Sequence, residues 1–227
     1  MDEAKRFNDI RQVTYRNRLN IGFFRDKTNW ENAPAFLDKN RLIINNHPVM
    51  EDWEDNYMKA LAEVACSKRG VVMEVGFGMG ISAEYIQSHK IREHIVIEAN
   101  KSVFEKLQDF KMNSIKPVRP IFGFWQDVTK NIPDNSLSGI LFDTYPMSKK
   151  EIHSNHYEFF PEAFRLLKPS GVFTYYSDEI RNFSHEHRNK LELAGFKKID
   201  KRICQVNPPK ECRYWKSNTI VIPIIIK

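Results

Sequence analysis

The sequence predicts an α/β fold: a seven-stranded, mostly parallel sheet with helices on both faces and an antiparallel C-terminal hairpin. Three observations lead there. From residue 50 onward, short apolar segments alternate with longer stretches of helical period, the order expected when strands are linked by crossover helices. The strand segments, such as "VVMEV" and "HIVIE", are apolar almost throughout rather than at every second position, as parallel strands covered on both faces must be. The last two segments, "KKIDKRICQV" and "RYWKSNTIVIPIII", are joined by the "NPPKEC" loop without a helix between them, so they should pair antiparallel.

In chain order, residues 1–45 show no clean period and scatter Phe23, Phe24, Trp30 and Phe36, which predicts an N-terminal arm or lid with short helical pieces ahead of a main domain over 46–227. Residues 50–66 place Trp53, Tyr57, Leu61 and Val64 on one helical face. A strand at 71–75 then runs into a glycine loop, followed by helix ("ISAEYIQSH"), strand ("HIVIE"), helix ("NKSVFEKLQDF") and two strands ("VRPIF", "LSGILFD"). Helix ("HYEFFPEAFRLLK") and strand ("GVFTYYS") precede the terminal pair.

Length and composition bound the function. The 227 residues, 41% hydrophobic and 28% charged, fit one globular core. The longest uncharged apolar run, "IVIPIII", is seven residues, far below the roughly 20 of a membrane helix, and the opening segment is too polar for a secretory signal. A soluble, cytoplasmic protein with no membrane partner is expected. Cys66, Cys204 and Cys212 have no metal spacing and read as reduced thiols. The net charge of +6 is uneven: residues 1–45 carry 9 basic and 6 acidic side chains and residues 181–227 carry 11 and 4, leaving 15 against 19 for 46–180. An acidic middle favours a cationic ligand over a phosphate backbone.

The strongest motif is "EVGFGMG", Glu74 to Gly80. Glycines at a strand end let backbone approach a ligand, and the next helix presents free N–H groups, so a nucleotide-type ligand belongs here. A dinucleotide fingerprint needs a third small residue where Ile81 stands; the spacing is G-x-G-x-G instead. Glu98 closes the second strand, followed by Ala99, where an acidic residue takes ribose hydroxyls. "GFWQDV" follows the third strand: Trp125 either flanks an adenine or belongs to the core, and Gln126 or Asp127 reaches the adenine amino group. Asp143, in "LFDTYP", closes the fourth strand at the crevice of an open α/β sheet. Nucleic-acid amino-methyltransferases carry D/N-P-P-aromatic at this position, and "DTYP" does not match it; "NPPK" at 207–210 lies in the hairpin and lacks the aromatic. The acidic run "PVMEDWEDNYM" is either a solvated helix face or holds a carboxylate for a cationic substrate.

These residues carry a resemblance. The loop resembles the E/D-x-G-x-G-x-G loop of S-adenosylmethionine-dependent enzymes, and the seven-strand plan is similar to the Rossmann-like sheet of class I methyltransferases. "PVMEDWEDNYM", "EVGFGMG", "GFWQDV", "ILFDTYP", "AFRLLKPSGVFTY" and "PPKECRYW" occur in the order found in the guanidinoacetate N-methyltransferase family, from about Trp30 to the C-terminus. The resemblance implies S-adenosylmethionine as methyl donor and a small guanidino acceptor. It implies Glu54 as the partner of the guanidinium, Asp143 as the carboxylate that contacts it and accepts its proton, and Trp30, Met50 and Met58 as residues closing over the cofactor, with Glu74, Gly76, Phe77, Gly78, Met79, Glu98, Ala99, Trp125, Gln126, Asp127 and Asp143 around it. Glu51, Asp52 and Asp55 are then solvated.

Elementary chemistry agrees. A guanidinium loses its proton only above about pH 12, so its free base at pH 7 costs on the order of 7 kcal/mol. A carboxylate that takes the proton while nitrogen attacks avoids that species, and a second fixes the planar fork. Asp143 is the candidate base and Glu54 the clamp; Tyr145 either packs over the guanidine or is structural.

The sequence departs from the family at Gly80 (alanine in the family), at Gln126 (glutamate) and after the fifth strand. There the family has an asparagine-leucine-threonine-serine run whose amides hold the acceptor's carboxylate, and this chain has "YYSDEIRNFSHEHRNKLELAGF". If Asp178 and Glu179 point inward they repel guanidinoacetate and read the α-ammonium of L-arginine, with Arg181 or backbone amides on the carboxylate; if they face solvent, guanidinoacetate remains. The reading tilts toward arginine. The alternatives are another small amine or amidine, or a nucleic acid, which the acidic middle argues against. His153, His156, His185 and His187 are expected as solvated helix residues with no metal. The basic C-terminal residues are solvated surface or face RNA or an acidic partner.

Overall fold

In the computed structural model, which describes residues 3–227, the chain begins with α1 (Glu3–Ile21) and α2 (Lys27–Asn32). A small antiparallel sheet of β1 (Ala35–Leu37), β2 (Arg41–Ile44) and β3 (His47–Glu51) follows. The arm is therefore more ordered than short helical pieces. Helix α1 escapes an apolar-period search because the residues at 11, 14 and 18 on its inner face are polar. The boundary expected between residues 45 and 46 falls inside the β2–β3 turn, where Asn45 and Asn46 both take left-handed φ (45° and 66°) as hairpin turns require.

The helix expected over 50–66 begins later. Met50 and Glu51 belong to β3, Asp52–Glu54 form a 3₁₀ turn, and α3 spans Asp55–Cys66. In the 3₁₀ turn the Glu51 N–H donates to Glu54 Oε1 (3.0 Å), which draws the glutamate back over its own chain and off the helix periodicity.

The main sheet contains β4 (Gly70–Val75), β5 (Ile91–Glu98), β6 (Val118–Phe122), β7 (Leu137–Phe142), β8 (Leu167–Tyr175), β9 (Lys198–Gln205) and β10 (Thr219–Ile226). Their spatial order is β6-β5-β4-β7-β8-β10-β9. All pairings are parallel except those of β10, which runs antiparallel to β8 and β9. The connecting helices are α4 (Ile81–Ser88), α5 (Lys101–Asn113), the one-turn α6 (Trp125–Val128), α7 (Phe160–Leu166) and α8 (His185–Leu193). Alternation along β4 sends Val72 to one core with Tyr57, Met58, Leu61 and Leu141, and Val71, Met73 and Val75 to the other with Phe142, Phe159, Phe173 and Tyr175. Strand order reverses between β4 and β7, which opens a crevice at their carboxyl ends.

Candidate active site

That crevice is a cleft with room for about 130 Å³ of water-sized centres. One end is built by the turn after β4. Gly76 has φ +92°, and a Cβ there would stand 1.9 Å from the Asp143 carbonyl oxygen; only glycine lets the two strand ends meet. Gly78 (φ +56°) would press a Cβ to 2.9 Å from Met50 Sδ. Glu98, 6% exposed, accepts from the Phe77 N–H (3.0 Å) and the Asn100 N–H (2.7 Å), which fixes it beside the loop with lone pairs left for hydroxyl donors. Asn100 joins this end to the arm by donating to the carbonyls of Trp30 (2.8 Å) and Ala33 (2.9 Å). Leu42, Ile44 and Met50 of the small sheet complete the roof. The Tyr176 hydroxyl, on a cleft-lining side chain, is buried without a partner among the described residues. A close-backbone turn and a fixed acid fit an adenosine ligand, while the orphaned Tyr176 hydroxyl lies toward Glu54 and Asp178.

The other end is acidic. Glu54 is 2% exposed; its Oε1 accepts from the Tyr214 hydroxyl at 2.6 Å, and its Oε2 has no hydrogen-bond partner among the described residues. Burial, reinforced by Asp143, pushes its pKa up to about 8. Asp143 is held by its own N–H donating to Val75 O (2.9 Å), and no donor reaches its carboxylate among the described residues. Burial, with repulsion from Asp178, raises it to about 7 although Arg18 pulls it down. Both carboxylates thus sit above their ordinary range, and Arg18 only partly offsets the effect of burial on Asp143.

Of the residues the sequence singles out, Trp30, Met50, Glu54, Gly76, Phe77, Gly78, Glu98, Ala99, Trp125, Gln126, Asp143, Tyr145 and Asp178 line this cleft. Trp30 stacks on Tyr145 (5.0 Å, 21°). Trp125 lines the cleft and also packs edge-on against Phe159 (5.0 Å). Five residues do not line it. Met58 is fully buried in the core under α3. Glu74 is fully buried on the same face of β4 as Val72, accepting from Ser82 Oγ and lying 3.0 Å from His94 Nε2. Met79 offers only its N–H, to Met50 Sδ (3.3 Å). Asp127 is exposed and pairs with Lys27 (3.0 Å).

Glu179 is the fifth. It is turned away from the cleft and accepts from Arg11 (3.1 Å) and the Ser184 N–H (3.0 Å), with His187 Nδ1 at 3.1 Å. Despite burial these partners hold its pKa below the usual range. Asp178 lines the cleft, but its Oδ1 is 3.2 Å from His153 Nδ1; burial opposes ionisation and His153 outweighs it, lowering the value to about 2. Both residues of that pair adopt left-handed φ, Asp178 at 53° and His153 at 63°, among the residue types that tolerate it best.

The expectation of solvated histidines is corrected for His153, His156 and His187, which are 7%, 0% and 0% exposed. His153 and His156 lie on turns rather than a helix, and the loop after β8 folds over them, so helical exposure does not apply. Sequence reasoning missed Arg18, Glu151, Asn155, Glu158 and Tyr214, all lining the cleft. Only "CRYW" held a signal, for Tyr214; the others sit in segments without a motif.

A doubly wound sheet with this strand order, a glycine turn at its switch point and an acid closing the second strand defines a class I, S-adenosylmethionine-type methyltransferase domain. Solved structures agree on the fold: TYW2 of M. jannaschii in complex with AdoMet superposes with TM-score 0.56 at 16% identity over 86% of this chain and 85% of that one. Spermidine synthase from Thermotoga maritima does so with TM-score 0.57 at 14% identity over 85% and 72%. The chain belongs to the guanidinoacetate N-methyltransferase family, whose model matches residues 24–227, a family of S-adenosylmethionine-dependent N-methyltransferases. Curated relatives include protein arginine N-methyltransferase 2 of Yarrowia lipolytica, 32% identical over 63% of this chain and 31% of that protein. The protein of the same name in Saccharomyces cerevisiae is 28% identical over 59% and 33%. The chain thus spans about a third of the length of these relatives. Among the described residues no helix is long and apolar enough to cross a membrane.

Proposed function

We propose that this chain methylates a guanidino nitrogen of a small guanidino acid, guanidinoacetate or L-arginine, with S-adenosylmethionine as donor. The observation that carries the reading is Glu54 and Asp143 lining one cleft, two carboxylates with raised pKa values and no ion pair among the described residues. When bound, S-adenosylmethionine supplies an electrophilic methyl group on a sulfonium. Gly76, Gly78 and Glu98 would hold its nucleoside end, and Trp125 with Phe124 would wall the base. Glu54, aimed by Tyr214 and by the Glu51 N–H, takes two guanidinium N–H groups and sets the plane of the fork. Asp143, at the end of β7 against the glycine turn, accepts the proton that leaves the attacking nitrogen. The arm, through Trp30 and β2, keeps water from the cleft.

The tilt toward arginine rested on Asp178 and Glu179 reading an α-ammonium. With Glu179 engaged by Arg11 and His187 and Asp178 by His153, that argument lapses and both acids stay as candidates. A second reading, arginine within a protein, is favoured by the names of the curated relatives. Mass spectrometry after incubation with S-adenosylmethionine and guanidinoacetate, L-arginine or an arginine-containing peptide tests this. Methylation of the free acids supports the reading, and modification of the peptide alone replaces it with the second.

A further inference from the structure

We propose that Arg18 forms a carboxylate-binding subsite at the acceptor end of the cleft, so that the protein selects a free guanidino acid over a guanidine without a carboxylate. The inference rests on the guanidine-methylating reading above. Arg11, Thr14 and Arg18 follow each other at spacings of three and four on α1 and so share one face. Arg11 pairs with Glu179 at 3.1 Å, and Thr14 Oγ1 lies 3.3 Å from His153 Nε2, whose ring is itself paired with Asp178. These contacts pin α1 to the loop after β8 and carry Arg18, one turn further, into the cleft. There its Cζ stands 5.6 Å from the Tyr145 ring and 5.3 Å from the Tyr214 ring. The Tyr214 hydroxyl donates to Glu54, so one tyrosine separates the guanidinium of the protein from the carboxylate that would bind the guanidinium of the acceptor.

Among the described residues, no carboxylate lies within 4.0 Å of Arg18. Asp178 is already matched by His153, and Asp143 is the proton acceptor of the proposed chemistry. Arg18 is therefore a half-buried guanidinium beside two aromatic rings, with one side in reach of the Tyr145 hydroxyl and further N–H donors left to meet a bidentate anion. A second cation, Arg213, acts on the same Tyr145, and both arginines oppose the rise that burial imposes on its hydroxyl. The cleft is bipolar: negative at Glu54 and Asp143, positive at Arg18. A free guanidino acid has the matching ends. A residue inside a polypeptide has an amide where the carboxylate should be and would leave Arg18 desolvated and unpaired, which discriminates against it. The loop after β8 is itself engaged in fixing α1, through Glu179 with Arg11 and through Asp178 with His153, which meets Thr14.

The test compares guanidinoacetate with guanidinoacetamide, which keeps the guanidinium and nearly the same shape but has no carboxylate charge, and L-arginine with L-argininamide. Wild-type protein and the Arg18→Ala and Arg18→Lys variants are assayed for methyl transfer. Guanidinoacetate binding is measured by calorimetry in the presence of S-adenosylhomocysteine, whose own affinity reports an intact fold. Wild type should favour each acid over its amide by about 10- to 100-fold in kcat/KM, the scale of a charged hydrogen bond. Arg18→Ala should bring that ratio near one and weaken calorimetric binding of guanidinoacetate by a similar factor, with Arg18→Lys between. A wild type that treats acid and amide alike, an unchanged ratio in Arg18→Ala, or tighter guanidinoacetate binding once Arg18 is removed overturns the subsite. Failure of wild type to bind or methylate any of the four overturns the reading beneath it.

Discussion

Two pairs of carboxylates lie in or beside the cleft, and they sit in opposite states. Glu54 and Asp143 have no ion pair among the described residues, and their pKa values rise to about 8 and about 7, the pull of Arg18 on Asp143 notwithstanding. Asp178 and Glu179 are buried too, yet their values fall, Asp178 to about 2, because His153, His187 and Arg11 lie within ion-pair distance. Burial disfavours charge in both pairs; the difference is whether the fold supplies an ion-pair partner. Where it does, the carboxylates brace a helix against a loop. Where it does not, the raised acids in the cleft support the proposal that they meet a cationic acceptor.

The largest expected effect removes the proton acceptor. Asp143→Asn should lower kcat by about 10²- to 10⁴-fold while calorimetric affinity for S-adenosylhomocysteine changes little; kinetics near wild type would show that this pair is no more catalytic than the other. Next is the clamp. Glu54→Gln should weaken acceptor binding by about 1.5–3 kcal/mol, measured by calorimetry with S-adenosylhomocysteine present.

The third prediction separates the pairs by pH. Guanidinium binding needs Glu54 and Asp143 ionised, so acceptor affinity should rise as pH climbs from 6 to 9, by up to about tenfold per unit for each proton released. Calorimetry in two buffers of different ionisation enthalpy should detect that release. The same shifts govern stability. Both folded values lie above the ordinary carboxylate range, so the contribution of these groups is fully present below about pH 4 and is lost as pH rises through about 7 to 8. The ligand-free melting temperature should therefore carry a component that declines from about pH 4 to about pH 8 and levels off above it, and Glu54→Gln should reduce it. Asp178 and Glu179, with lowered values, contribute stability that disappears only on acidification.

The smallest effect belongs to the braced pair. Glu179→Gln should cost on the order of 1–3 kcal/mol of unfolding free energy, read by denaturant titration, and weaken the acceptor less than Glu54→Gln does. A larger loss of acceptor affinity than of stability would move Glu179 into the binding site and erase the contrast.

The sequence alone determined the sheet plan, the glycine turn and Glu98, because strand periodicity and a turn needing positive φ are written in contiguous residues and read without knowing their neighbours. It also picked out Glu54 and Asp143, through motifs that resemble a family. It placed Asp178 and Glu179 as a pair of possible readers of substrate, missed Arg18 and Tyr214, and put three buried histidines in solvent. Those questions turn on which charges face which across the fold. Glu179 meets Arg11, 168 positions away, and Glu54 meets Tyr214 across 160. Only the tertiary structure decided which carboxylates were neutralised and which were left waiting, since the ionisation of a buried group depends on the few ångströms around it and on chain segments that the local sequence does not contain.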